Sequence, residues 1–259
     1  SFDKNKKFAI FEMLFRRASG ECLKNRTVLM LTHDVEPVID TLKSVRKLFN
    51  NLVTASCLRL SAGVLEELPV NDGDIMTFMQ ICKSIVESAD CEEIIKLIYL
   101  RRYFEIVDEC GDAYQLLSNL FHRRVVPLDH REPAAAGTGY PEMAPEKLQQ
   151  ARQDIREYVD SFDYPRLQAL VSSPDEIKHL YHRCRNGYEK LQVFRLLELD
   201  QDHPVIRKFV NETYHIENEF ICQLDPSRFD LIPEYVITEC DNIIALPPAA
   251  NQSSVAHTA

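Results

Sequence analysis

Glycine is scarce, seven in 259 residues, and no arrangement of them supplies G-x-x-x-x-G-K-[ST], the loop whose backbone cradles phosphates. The eight cysteines lie scattered at 22, 57, 82, 91, 110, 184, 222 and 240 without one C-x-x-C pair, which excludes a zinc knuckle and a dithiol redox motif. No apolar run approaches the roughly 18 residues that argue for a membrane-spanning helix, so no membrane partner is expected. The opening residues Ser1-Phe2-Asp3-Lys4 have no apolar stretch behind a basic start, so no export signal is expected. A cytoplasmic chain with reduced, mostly buried thiols is the expectation. The chain also opens without methionine, as the tail of a longer polypeptide would. No internal repeat is visible.

What is present suits a folded chain of one large or two medium domains, with an ordinary hydrophobic fraction of 45%. The net charge of −10 is unevenly placed. Residues 1–60 carry eleven Lys/Arg against six Asp/Glu, about +5, and the remainder carries nineteen against thirty-four, about −15. The basic part can attract phosphates and the acidic part repels them; charge that keeps two lobes soluble explains the asymmetry equally well.

Along the chain, Phe8, Phe11, Leu14 and Phe15 fall at helical spacing behind Asp3, with Gly20 as a stop. Val28–Leu31 are continuously apolar, which predicts a strand over 27–32 buried on both faces, the parallel-sheet kind. Val38, Ile39, Leu42, Val45 and Phe49 predict a helix over 35–49. The stretch TASCLRLSAGVLEELPV, residues 54–70, predicts a hairpin turning at Ala62-Gly63. Strand, helix, strand implies an α/β sheet, but these few elements cannot cover both its faces. From Asp74 onward the pattern is helical: a helix from Ile75 to Val86, others over 91–108 and 112–123, one through Leu148–Phe162, one from about 203 to 220 and one from 233 to 244. Ser173-Pro174-Asp175-Glu176 reads as a helix start, with Ser as N-cap, Pro first and Glu third. The predicted fold is therefore a small α/β part followed by a mostly α-helical domain, predominantly α overall. Its segments are 1–72 (α/β), 73–126 (helical), 127–145 (linker or long loop, four prolines and two glycines), 146–245 (helical appendage) and 246–259 (disordered tail).

The buried run ends in Thr32-His33-Asp34. A strand ending in histidine places a titratable donor at the carboxyl edge of a sheet, where α/β folds bind ligands. Three features in order, SFD at Ser1–Asp3, VLMLTHD at 28–34 and ASCLRLSAGVLEEL at 55–68, resemble the C-terminal half of an ABC-type P-loop ATPase head of the SMC and RecF kind. The resemblance covers residues 1–72. It implies that SFD is the end of the D-loop, that His33 is the switch histidine contacting the γ-phosphate or attacking water, and that the last stretch is the closing strand pair. Asp3 would then sit between two heads, and Asp34 would orient the imidazole. A strand-terminal His33 with Asp34 capping the next helix is the plainer alternative. The phosphate loop, the signature segment and the Walker B carboxylates are missing, and these hold the phosphates, the Mg²⁺ and the general base. The resemblance thus implies ATP and Mg²⁺ as cofactors only together with a missing N-terminal ATPase half, a head-to-head homodimer, and a role in DNA repair or phage defence. This chain alone is not expected to hydrolyse ATP.

AYQLLSNLFHRR and FVNETYHIENEFICQLDPSRFDLIPEYV resemble tails of the bacterial AAA-domain family that includes the PrrC-type anticodon nucleases. Some relatives carry a ribonuclease with an Arg-x-x-x-Glu pair and a distant His. Arg185 and Glu189 have that spacing, which puts both on one helix face, and His215 follows later. Such a set can cleave RNA, with Glu as base, His as acid and Arg on the phosphate. An ordinary ion pair beside a packed histidine explains the same residues. Arg207 and Asn211 also precede His215, but neither gives the Arg-to-His spacing of HEPN ribonucleases. His179, His182 and Cys184 do not converge as metal ligands, and Arg101-Arg102 and Arg123-Arg124 read as solvated helix ends. The appendage is therefore expected to bind a protein or nucleic-acid partner, with a ribonuclease or a helical interaction domain without chemistry as alternatives.

Overall fold

A computed structural model describes residues 13, 27, 29–33, 35–40, 42, 43, 46, 53–61, 63–107, 111–132, 139–197, 206 and 222–245. Among the described residues the architecture is predominantly α-helical with two small antiparallel sheets. The chain divides into two compact units, residues 1–78 with 220–229, and residues 79–219 with 230–259.

In the first unit, helix α1 (Glu36–Asp40) precedes strands β1 (Ala55–Ser61) and β2 (Val64–Val70), a 3-10 turn (Asp72–Asp74) and β3 (Ile75–Thr77). β1 and β2 form the expected hairpin, with Ser61 opposite Val64. Gly63 has φ +80°, a left-handed conformation that a two-residue turn requires and that glycine adopts without penalty. Ala55, Cys57, Leu68 and Val70 point to one face and pack with Leu42, Ile75, Leu224 and Phe229 into a small core, joined by Val35 just before α1 and by Val38 and Ile39 within it.

The buried strand expected over 27–32 is absent from the described residues of that stretch. Residues 27 and 29–32 carry no regular structure, and Leu29 and Leu31 are 84% and 75% exposed. A run apolar on both faces holds as a strand only between hydrogen-bonded neighbours under two covering layers. Among the described residues no strand pairs with it.

Ile75 was expected to open a helix. It opens β3 instead, because β4 (Cys222–Leu224) returns from far along the chain and pairs with it: Ile75 faces Leu224 and Thr77 faces Cys222. The Asp225 N–H donates to the Asp74 carbonyl at 2.8 Å. The Arg228 guanidinium reaches both Asp74 oxygens at 2.7 Å and the Pro69 carbonyl at 3.0 Å, tying the hairpin to this second ladder.

The second unit contains α2 (Phe78–Glu87, its first residue in the first unit), α3 (Glu93–Val107), α4 (Asp112–Phe121), α5 (Pro145–Arg156), α6 (Tyr164–Ser172), α7 (Pro174–Arg183), α8 (Gly187–Phe194) and α9 (Glu234–Ala245). α3 is apolar around most of its circumference, the pattern of a central helix, and Ile94, Ile95, Leu97, Ile98, Tyr99, Leu100 and Phe104 are buried. It packs on α4 and α8, while α4 also meets α5 and α6. Leu116, Leu117, Leu120, Ile155, Phe162 and Leu167 are sealed in this core. Ser173 caps α7 as expected, its hydroxyl accepting the Glu176 N–H, with Pro174 in the first turn. Asp163 caps α6 the same way through the Arg166 N–H at 2.9 Å. The Pro-rich stretch 127–145 lies within this unit: Leu128 bridges Glu142, and Met143 near its end is buried. The helix expected over 203–220 falls outside the described residues except for Ile206, which is helical and buried.

Candidate functional site

His33 occupies a bend two residues before the first turn of α1, and its side chain is exposed. That turn starts at Val35, whose carbonyl accepts the N–H groups of Val38 and Ile39, each at 3.0 Å. The imidazole is thus open to a ligand from solvent. Asp3 and Asp34 lie outside the described residues.

Arg185 and Glu189 do meet. Glu189 Oε1 accepts from Arg185 Nε at 2.8 Å, and Oε2 accepts from the Arg185 backbone N–H at 2.8 Å. The Glu189 N–H in turn donates to Asn186 Oδ1 at 3.0 Å, so Asn186 caps α8. Arg185 Nη1 donates to Ser88 Oγ at 3.2 Å, fastening this turn to the end of α2. Glu189 is 1% exposed. Its hydrogen bonds push the Arg185 pKa up, which only deepens a permanent charge. Beside the pair, burial pushes the Cys91 thiol up to about 11 and the Cys184 thiol up to about 12, so neither is a nucleophile at neutral pH. His215 lies outside the described residues. A general base must come within hydrogen-bond reach of the atom it deprotonates. Glu189 is enclosed with its oxygens engaged, and the geometry is that of a cap and a fastener.

Arg123-Arg124 follow the end of α4, but Arg101-Arg102 lie inside α3 and not at its end, and both pairs are less solvated than expected. Arg101 Nη2 donates to the Tyr114 hydroxyl at 3.2 Å, and its guanidinium lies 5.2 Å from that ring's centre. Arg102 pairs with Glu105. Arg123, with φ 56°, donates to the Leu196 carbonyl, and Arg124 donates to Asn119 Oδ1 at 3.1 Å. Among the described residues no group of three His, Cys, Asp or Glu side chains is placed to hold a metal ion. His182 meets the Tyr181 ring edge-on at 5.6 Å.

One cluster escaped the sequence reading. Asp129, 1% exposed, is held by Arg131 Nε at 2.8 Å and Lys147 Nζ at 2.8 Å. Arg131 also reaches Asp112, and Lys147 reaches Glu132 at 3.3 Å. The Arg131 hydrogen bonds outweigh burial and hold the Asp129 carboxyl far below the usual range. The available signal was the charged run Asp129-His130-Arg131-Glu132 inside a Pro-rich stretch, which reads as solvated loop until Lys147 and Asp112 are brought to it. A separate groove runs along one face of α5, lined by Pro145, Leu148, Gln149, Arg152, Gln153 and Arg156.

No helix among the described residues is long and apolar enough to cross a membrane. Comparison of the chain with protein-family models, curated proteins and solved structures finds no match.

Proposed function

We propose that the first unit is the C-terminal part of an ABC-type ATPase head, completed by a nucleotide-binding half that carries the phosphate loop. The observation that carries this reading is the β1–β2 hairpin. It is a strand, a glycine turn and a strand at the residues where the resemblance expects the closing pair. Its far end presents Leu58, Leu60 and Leu65 on one face, all exposed, with Leu60 at 70%. An isolated two-stranded ribbon is marginal in water, and clustered exposed apolar side chains mark a surface that another layer covers. The missing half of the sheet is that layer in this reading.

In such a head the missing half would hold ATP and Mg²⁺. Bound Mg²⁺ would offset negative charge on the phosphates. This chain would contribute His33, whose exposed imidazole suits a γ-phosphate contact, and Asp3 at the interface of two heads paired head to head. The helical unit would be a binding module for a protein or nucleic-acid partner, because the enclosed Glu189 favours a structural ion pair over a ribonuclease base. The protein would work in the cytoplasm, in DNA repair or phage defence.

Two measurements test the proposal. Calorimetric titration of this chain with Mg-ATP should give no specific heat, because the phosphate loop is absent; micromolar binding would contradict the reading. In the protein joined to its nucleotide-binding half, His33→Ala should lower kcat on the order of 100-fold with little change in KM, the signature of a contact made to charge developing at the γ-phosphate. Equal turnover in variant and parent would leave His33 a helix-flanking residue.

A further inference from the structure

Residues 127–132 and 139–143 are the two legs of one loop. Leu128 bridges Glu142, the Asp129 N–H donates to the Pro141 carbonyl at 2.9 Å, and the Met143 N–H donates to the Pro127 carbonyl at 2.9 Å. One position further out, the His130 ring stacks on Tyr140, with centroids 4.6 Å apart and planes 14° from parallel. Two side chains of α4 hold the first leg. Asn119 Oδ1 accepts the Leu128 N–H at 2.9 Å, and Gln115 Oε1 accepts the His130 N–H at 3.4 Å. Arg124 Nη1, which donates to that same Asn119 oxygen, also contacts His130 Nε2. A guanidinium has hydrogens to give and no lone pair to receive with. This contact is therefore a hydrogen bond only when His130 is neutral and carries its proton on Nδ1.

We propose that His130 is a pH-sensitive clasp: its neutral ring joins the described legs 127–132 and 139–143 to one another and to Arg124, and protonation parts His130 from Arg124 and Tyr140. Protonation turns Nε2 into a donor facing a donor and sets a positive ring against the Arg124 guanidinium. His122, at the end of α4, adds to the opposition when charged. Asp129 favours the charged ring, but its oxygens are already held by Arg131 and Lys147, and those two cations also engage Asp112 and Glu132. Tyr140 faces the imidazole with its ring. Burial, followed by Arg124 and His122, holds the imidazole below its ordinary value of 6.5. A histidine depressed on folding adds stability above its unfolded value, and that stability is lost as pH falls through the folded value. The inner rungs are backbone hydrogen bonds, and the Asp129 carboxyl is held far below its usual range, so those rungs stay closed while the His130 contacts open.

The test is exchange of the His130 and Arg131 amides, which donate to Gln115 Oε1 and Asp129 Oδ1, in the full chain from about pH 7.5 to about pH 5, corrected for intrinsic exchange, the range in which histidine changes charge. In the parent, protection should fall by up to roughly tenfold for each pH unit between the ordinary imidazole value of 6.5 and the lower folded midpoint, and level off below that midpoint. It should fall alike in His122→Gln and stay level in His130→Gln, which retains a neutral acceptor. Constant protection in the parent, or an equal loss in His130→Gln, overturns the proposal. An NMR titration of the His130 ring in the parent needs no variant. A midpoint below the ordinary value supports the clasp, and one at or above it overturns it.

Discussion

Thr77 faces Cys222 across the β3–β4 ladder, with residues 78–221 looped out between them. The chain connecting these two strands carries most of the sequence of the helical unit. Insertions are tolerated at such places because the two chain ends are already held side by side. Helix α9 then follows β4 and packs on α8 within the helical unit.

The ladder's fastening makes the first prediction. Burial raises the Asp74 pKa, but the Asn71 amide and the Arg228 guanidinium lower it further, and the net value lies below the ordinary one. Arg228→Ala should destabilise the first unit by about 1 kcal/mol, a modest loss because this arginine is partly in solvent. Exchange of the amides of residues 222–229 should quicken. In the parent the Asp74 contribution is present above pH 3.8 and lost as pH falls through the lower folded value.

The Arg185–Glu189 pair makes the second. Arg185→Ala leaves an enclosed carboxylate without its cation and should cost about 3 kcal/mol in urea unfolding. Changing both residues together, Arg185→Met with Glu189→Leu, should recover much of that, since the stranded charge is gone. If the double variant were as unstable as Arg185→Ala, the desolvation argument would fail.

Asp129 makes the third. Its folded pKa is strongly depressed by Arg131 and Lys147, so its stabilising effect is present above pH 3.8 and drains away as pH falls through the folded value. Asp129→Ala should cost about 2 kcal/mol at neutral pH, the scale of hydrogen bonds to a charged group. The gap between variant and parent should narrow in acid, and unfolding curves at several pH values read it directly.

Gly187 makes the fourth. Its N–H donates to Asp230 Oδ2 at 2.7 Å, and an added Cβ would lie 2.8 Å from both Asp230 Oδ1 and Ile232 Cβ. Gly187→Ala should lower stability by about 1–3 kcal/mol through overpacking, although alanine is ordinarily the better helix former. An unchanged melting temperature would mean that residues 230–232 yield freely.

The exposed hairpin face makes the fifth. Leu58→Asp with Leu60→Asp should change the stability of this chain by less than about 0.5 kcal/mol, as surface substitutions do. The same pair should block association with the nucleotide-binding half, read by co-purification. Intact association would remove the hairpin face from the proposed interface.

Much of the local structure was readable from residue order alone. Ser173 and Pro174 set the start of α7, and Gly63 set the turn between β1 and β2, because the chemistry of a cap or a tight turn lies within a few residues. The helix expected over 91–108 is α3 (Glu93–Val107). The Arg185–Glu189 contact was expected from helical spacing, but Arg185 lies just before the Asn186 cap, outside α8, so the pair closes over the helix start and not along one helix face.

What only the tertiary structure decided lies between residues distant in sequence. Ile75 is in a strand because Leu224 comes back to pair with it; its local pattern favoured a helix, and a partner from far along the chain overrode that preference. Leu29 and Leu31 show the converse, an apolar run without a paired strand beside it among the described residues. Asp129 became part of a fixed ion-pair cluster, and not a loop charge, only when Lys147 converged on it and Asp112 on its partner Arg131. Hydrogen-bond preferences and side-chain periodicity act over a few residues and are written in the sequence. Strand pairing and buried charge depend on which distant groups the fold delivers, and on the water it removes around them.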